Sequence, residues 1–159
     1  MIFTWICLAG AALLVAADQL IKFWANTSLS QMDTLPIIDG VLHLTYHQNF
    51  GAAFSILQGK RVFLLAFTGV MLLAILVLLL SRRIQNRMLT ASLSLILSGG
   101  VGNLLDRLFR EGGFVVDYID FRLIHFPVFN LADICVCVGT ALLVLYVFLS
   151  EGRHHEPRD

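Results

Sequence analysis

Asp117 and Asp133 are the residues whose type and placement could do chemistry in this chain. Both lie at or inside long apolar stretches, where an ionisable side chain costs about 2.5–3.5 kcal/mol to insert and is normally kept for a purpose. Two carboxylates brought together near a membrane surface repel, so one pKa rises and the pair holds a single proton near neutral pH. The ionised member can then take a proton from water while the protonated member polarises a carbonyl. Asp133 follows Phe129-Asn130-Leu131-Ala132, and Asn130 already occupies the boundary position that suits a helix cap. That puts Asp133 a turn inside, although a plain helix N-terminal role for its carboxylate is the simpler alternative.

Further polar residues gather around these two. Asp18 and Lys22 are four apart and share a helix face, where they pair or snorkel to the interface. Gly99, Asn103 and Arg107 also recur every four residues, so a glycine floor leads to an amide and a guanidinium on one stripe; close helix packing explains only the glycines. Asn49 extends a polar face formed by His43, Thr45 and His47, and Gly51 beyond it permits a bend or close backbone approach. Other chemistries fare worse. No Ser or Cys has a His at motif spacing. His43 and His47 would stand about 13 Å apart along a strand, His154-His155 lies in a charged tail, and neither HExxH nor CxxC occurs. No metal and no cofactor is expected.

The elements that must position these groups follow from composition. Of 159 residues, 58% are hydrophobic and 14% charged, with 11 basic against 11 acidic and a mean hydropathy of +0.82. Soluble chains run at roughly 45–50% apolar and about 25% charged, so this chain is read as a membrane protein. The charge balance excludes a nucleic-acid partner. Cys7, Cys135 and Cys137 all sit in apolar runs, so no disulfide framework is expected. Four segments suffice to span a bilayer, at about 2–24, 62–81, 88–106 and 130–150. The first lacks a basic start and a cleavage pattern and is read as retained. One integral membrane domain, 1–159, is expected.

The turn at 81–87 carries Arg82, Arg83 and Arg87 without an acid, which marks it, and with it both termini, as cytoplasmic. Lys60, Arg61, Arg107, Arg110 and Arg122 fall on the other side and weigh against this. Two longer connections then lie outside. In the first, about 35–58, Asp39-Gly40 is a hairpin signal followed by period-two patterning from Leu42, which predicts a small half-buried sheet on the membrane surface. In the second, about 108–128, a short interfacial helix or turn is expected. The fold class is thus all-α and membrane-embedded: four transmembrane helices, an extracytoplasmic β-sheet cradle, and a short interfacial helix or flap.

Taken in order, Asp18-Gln19-x-x-Lys22, Asn49-x-Gly51-x-Ala53-Phe54, Gly99-Gly100-x-Gly102-Asn103-x-x-Asp106-Arg107, Val116-Asp117-Tyr118-Ile119-Asp120 and Phe129-Asn130-Leu131-Ala132-Asp133 resemble the motifs of the bacterial lipoprotein signal peptidase (signal peptidase II) family over nearly the whole chain. The resemblance implies an aspartic endopeptidase of the bacterial inner membrane that cleaves diacylglyceryl-modified prolipoproteins just before the lipidated cysteine. It implies Asp117 and Asp133 as the catalytic pair. Asn49, Asn103, Arg107 and Asn130 would orient the dyad or substrate, with Gly51 and Gly99 beside them and Asp18–Lys22 as a supporting pair. It implies a multi-pass monomer in the inner membrane, its active site near the outer leaflet, with membrane lipids and the lipidated substrate as partners and no obligate protein partner. From the residues alone, Asp120 competes with Asp117. A proton-coupled carrier and a non-catalytic membrane subunit remain the alternatives in other functional classes; the carrier lacks paired broken helices in related halves.

Overall fold

The computed structural model describes residues 1–51, 60–81, 83–124 and 126–152. Ala53 and Phe54, the rest of the expected outer connection to residue 58, Arg82 and the His154-His155 tail lie outside the described residues. Four helices carry the chain, α1 (Ile2–Thr27), α2 (Arg61–Leu80), α3 (Arg87–Phe109) and α4 (Leu131–Gly152). All four are long and apolar enough to cross a membrane.

The helices alternate in direction, with α3 at the centre. Its most apolar stretch is 44% buried against 17% for each of the others, so α1, α2 and α4 pack around α3 and turn large side chains such as Leu13, Phe67 and Phe148 outward. Leucines seal the contact with α2, where Leu72 and Leu79 meet Leu93 and Leu97. Small residues make the contact with α4. A Cβ on Gly99 would overlap the Ala132 carbonyl oxygen, and one on Gly139 would sit 2.8 Å from the Ser92 carbonyl oxygen. This is the small-residue packing that membrane helices use when no hydrophobic drive separates them from lipid.

Three strands form one antiparallel sheet, β1 (Leu35–Ile38), β2 (Leu42–Asn49) and β3 (Val115–Phe121), in that order. The Asp39-Gly40 turn joins the first two as expected, with Gly40 at φ +70° where a side chain would be strained. β3 corrects the reading of the second connection. Where a short helix or turn was expected within 108–128, residues Val115–Phe121 form a strand, and between α3 and residue 124 helical geometry is confined to single 3-10 turns at Glu111–Gly113 and Arg122–Ile124. The β-branched and aromatic residues of Val115–Phe121 favour this. Val116 and Tyr118 pack with Ala25 and Leu29, fixing the sheet to the end of α1.

Candidate active site

The ends of α1 and α3, the start of α4 and the neighbouring parts of β2 and β3 converge on one buried polar network. Its base is an ion cluster. Lys22, fully buried, stands 2.9 Å from Asp18 on its own helix and 3.1 Å from Asp106 on α3. The Asp18–Lys22 pair therefore lies deep in the bundle and does not snorkel. Asp18 Oδ1 also accepts the Ala132 N–H at 3.0 Å, and Asp106 takes Arg110 Nε at 2.9 Å and the Val116 N–H at 3.2 Å. Gln19 donates to the Gly102 carbonyl at 3.1 Å, closing the seam between α1 and α3. A Cβ on Gly102 would come within 2.6 Å of Asp18 Oδ2, so the carboxylate needs that glycine.

Above this cluster sit Asp117 and Asp133, and their surroundings differ in kind. Asp117 Oδ1 accepts Asn130 Nδ2 at 2.6 Å, and Oδ2 accepts Asn49 Nδ2 at 3.0 Å. Asp133 Oδ1 accepts Asn103 Nδ2 at 2.8 Å, and Oδ2 accepts the Asn130 backbone N–H at 3.2 Å. Among the described residues, neither carboxylate makes a salt bridge. Burial pushes the Asp117 carboxyl up to about 7, helped by the charge of Asp133 and opposed by the Asn49 and Asn130 hydrogen bonds and by Lys22. Such a group changes protonation in the range where water can be activated.

Asn130 joins the two halves of the site. Besides its bonds to Asp117 and Asp133, its side-chain amide donates to Asn103 Oδ1 at 3.2 Å, and its Oδ1 accepts the Asp133 N–H at 2.9 Å. The last bond and the Asp133–Asn130 bond form a reciprocal capping box at the start of α4. Asp133 both caps α4 and reaches Asn103 on α3, because its two oxygens face different partners. Lys22 Nζ ties the ion cluster to this network, donating to Asn103 Oδ1 at 2.8 Å.

The stripe of Gly99, Asn103 and Arg107 faces α4 and the end of β2. Gly99 admits α4, Asn103 holds Asp133, and Arg107 donates to the Gly51 carbonyl at 2.6 Å and to the Asn103 carbonyl at 3.2 Å. Gly51 is buried between Arg107 and Asn49, whose Oδ1 accepts its N–H at 2.9 Å. All ten residues singled out in the sequence thus stand in or against one network. Asp120 points elsewhere. Its Oδ2 accepts Thr45 Oγ1 and Arg122 Nε, both at 2.8 Å; slight burial raises its carboxyl, but those bonds prevail and hold it below the usual carboxylate range. His43 is buried and His47 exposed, with a register break between Leu44 and His47.

Sequence reasoning passed over Asp106, Arg61 and Tyr118. Asp106 follows Asn103 by three and so shares its face, a signal that was present. Arg61 donates to the Arg107 and Leu108 carbonyls at 2.9 and 3.2 Å, closing the end of α3. Burial raises the Tyr118 hydroxyl to about 12, so it stays neutral and accepts the Leu131 N–H at 3.2 Å.

A family model described as signal peptidase (SPase) II matches residues 10–149. The lipoprotein signal peptidase of Brevibacillus brevis is 42% identical over 144 residues, covering 91% of this chain and 95% of that one. That of Clostridioides difficile is 45% identical over 143 residues, covering 89% and 93%. A bacterial membrane enzyme solved by the in meso method at 2.3 Å resolution superposes with a TM-score of 0.86 at 29% identity, covering 97% of this chain and 93% of that structure.

Proposed function

The chain belongs to the signal peptidase II family, and from that premise we propose that Asp117 and Asp133 are the catalytic pair of a membrane aspartic peptidase that removes lipoprotein signal peptides. One observation carries the assignment. Four carboxylates are concentrated here, and cations compensate Asp18 and Asp106 while Asp117 and Asp133 receive amide donors alone. A neutral donor fixes a carboxyl's position without holding it permanently ionised, which a general acid and base must avoid.

The mechanism follows from that contrast. With one proton shared, the ionised carboxylate takes a proton from water as its oxygen attacks the scissile carbonyl carbon. The protonated carboxyl gives its proton to the carbonyl oxygen. Collapse of the tetrahedral intermediate breaks the C–N bond: one hydroxyl of the gem-diol returns its proton to the carboxylate that had protonated the carbonyl oxygen, and the amine leaves with the proton taken from water, restoring the one-proton pair. Asn49, Asn103 and Asn130 position the carboxyls; Arg107, through Gly51 and Asn103, holds the end of β2 against α3; Gly99 admits the start of α4.

The substrate is a prolipoprotein cut just before its diacylglyceryl-modified cysteine, whose acyl chains stay among the helices. The termini are cytoplasmic and the site lies near the outer leaflet. Arg83 and Arg87 are exposed at the termini's end, while Arg61, Arg107, Arg110 and Arg122 at the other are engaged in the bonds given above and count less as free charges. Purified protein is expected to cleave a lipidated prolipoprotein in a gel-shift assay and to leave the unlipidated form uncut. Asp117→Asn and Asp133→Asn are each expected to be folded and inactive. Full activity in either variant overturns the dyad, and equal cleavage of both substrates overturns the lipid requirement.

A further inference from the structure

At the end of the bundle away from the carboxylates, the first turn of α1, the last residues of α2 and the turn into α3 enclose a cavity of about 600 Å³. That volume is within the roughly 300–1,000 Å³ of small-molecule sites. Its walls are mainly apolar, with Thr4, Gln85 and Thr90 as polar exceptions: Ile2, Trp5 and Leu80 are exposed on the lipid-facing side, and Leu79 and Ile84 close the interior. Its rim is cationic. Arg87 is exposed, lines the cavity and stands 5.6 Å over the ring of Phe3. Arg83, also exposed, lies in the same turn, and no acid occurs among the lining residues or anywhere in 81–87.

An exposed tryptophan at the end of a spanning helix marks the headgroup level. A slot at that depth, open to lipid along an apolar wall, with the Arg87 guanidinium at its rim and Arg83 in the adjoining turn, has the complementarity of a phosphodiester with acyl chains attached. We propose that this cavity binds one anionic phospholipid, its headgroup phosphate at Arg87 and Arg83 and its proximal acyl carbons against Trp5, Leu80 and Ile84. A free phosphate would use the arginines and leave the apolar wall bare. A zwitterionic lipid would use the wall and gain less from the rim, since each basic residue near a membrane surface adds its own increment of attraction to net anionic lipid.

Full-length protein in detergent, titrated with phosphatidylglycerol and followed by native mass spectrometry, tests this. One phosphatidylglycerol per chain is expected to survive excess phosphatidylcholine and millimolar inorganic phosphate. Arg87→Gln should weaken binding by roughly 5-fold and the double variant with Arg83→Gln by roughly 25-fold, while Arg87→Lys stays near wild type. Leu80→Trp, which fills the slot and keeps both arginines, should lose the lipid as well. Thermal unfolding of each variant separates lost binding from lost fold. Undiminished binding in the folded double variant or in folded Leu80→Trp overturns the site. Equal retention of phosphatidylcholine, or displacement by inorganic phosphate, overturns its assignment to an anionic lipid.

Discussion

Replacing Asp117 by asparagine should change how stability depends on pH, in a direction and amount set by its surroundings. Burial, and then the charge of Asp133, raise this carboxyl from 3.8 to about 7, whereas in the unfolded chain an aspartate ionises near its ordinary ~3.9. Between those values the folded protein keeps a proton that the unfolded chain has lost. Wild-type stability must therefore fall as pH rises from about 4 to about 7 and level off above. At about 1.4 kcal/mol per pH unit, the interval from pH 5 to pH 7 removes roughly 2–3 kcal/mol. Asparagine has no such titration. It does present an amide where Asn49 and Asn130 both donate, so one donor loses its acceptor at every pH, at about 1–3 kcal/mol. The variant should be the less stable protein at pH 5 and gain on wild type steadily towards pH 7. Unfolding in one fixed micelle at pH 5, 6, 7 and 8 reads the difference, in which other titrating groups largely cancel. Curves that run parallel from pH 5 to pH 7 refute the argument, because a carboxyl that ionises normally has finished titrating by then.

On the proposed mechanism, cleavage by the wild type should decline on the alkaline side with an apparent pKa near 7, as the proposed pair loses its proton. Asn49→Ala removes a bond that favours the ionised Asp117 and should move that limb to higher pH; a shift to lower pH in the rate profile contradicts it. Lys22→Met leaves Asp18 and Asp106 without their shared cation and should cost about 3–5 kcal/mol of micelle stability, with partial recovery when Asp18→Asn is added. Gly99→Ala should cost about 1–3 kcal/mol and most of the activity by pushing α4 off α3. Gly10→Ala, with nothing within 4 Å of the added methyl, should be neutral or slightly stabilising by the same unfolding assay.

Helical periodicity alone put Asp18 with Lys22, and Gly99 with Asn103 and Arg107, on shared faces, and their partners followed from the helix packing. What stayed hidden was hidden for physical reasons. Val115, Val116, Asp117 and Tyr118 are all buried, so β3 has no alternation to reveal it: Val116 and Tyr118 pack with α1 on one face while Asp117 on the other meets Asn130 and Asn49. Asp106 was overlooked because a carboxylate near a helix end ordinarily reaches water, whereas the returning chain at Val116 covers it here. The choice between Asp117 and Asp120 depended on pairing across strands: one residue faces asparagines from β2 and α4, the other an arginine and a threonine. No spacing within the segment encodes that.

The buried ion cluster also bears on how the protein is made. Asp18 and Lys22 are four apart on α1, and Asp106 and Arg110 are four apart at the end of α3, each pair at 2.9 Å. Asp18 and Asp106 therefore each have a counter-charge on their own helix, which lowers the cost of bringing these carboxylates into the bilayer during synthesis. The bonds between helices, Lys22 to Asp106 and Ala132 to Asp18, form only afterwards. Asp133 arrives with the final helix and meets Asn103 at that moment. The proposed Asp117–Asp133 pair is therefore completed last, and a nascent chain of three helices lacks one of its two carboxyls.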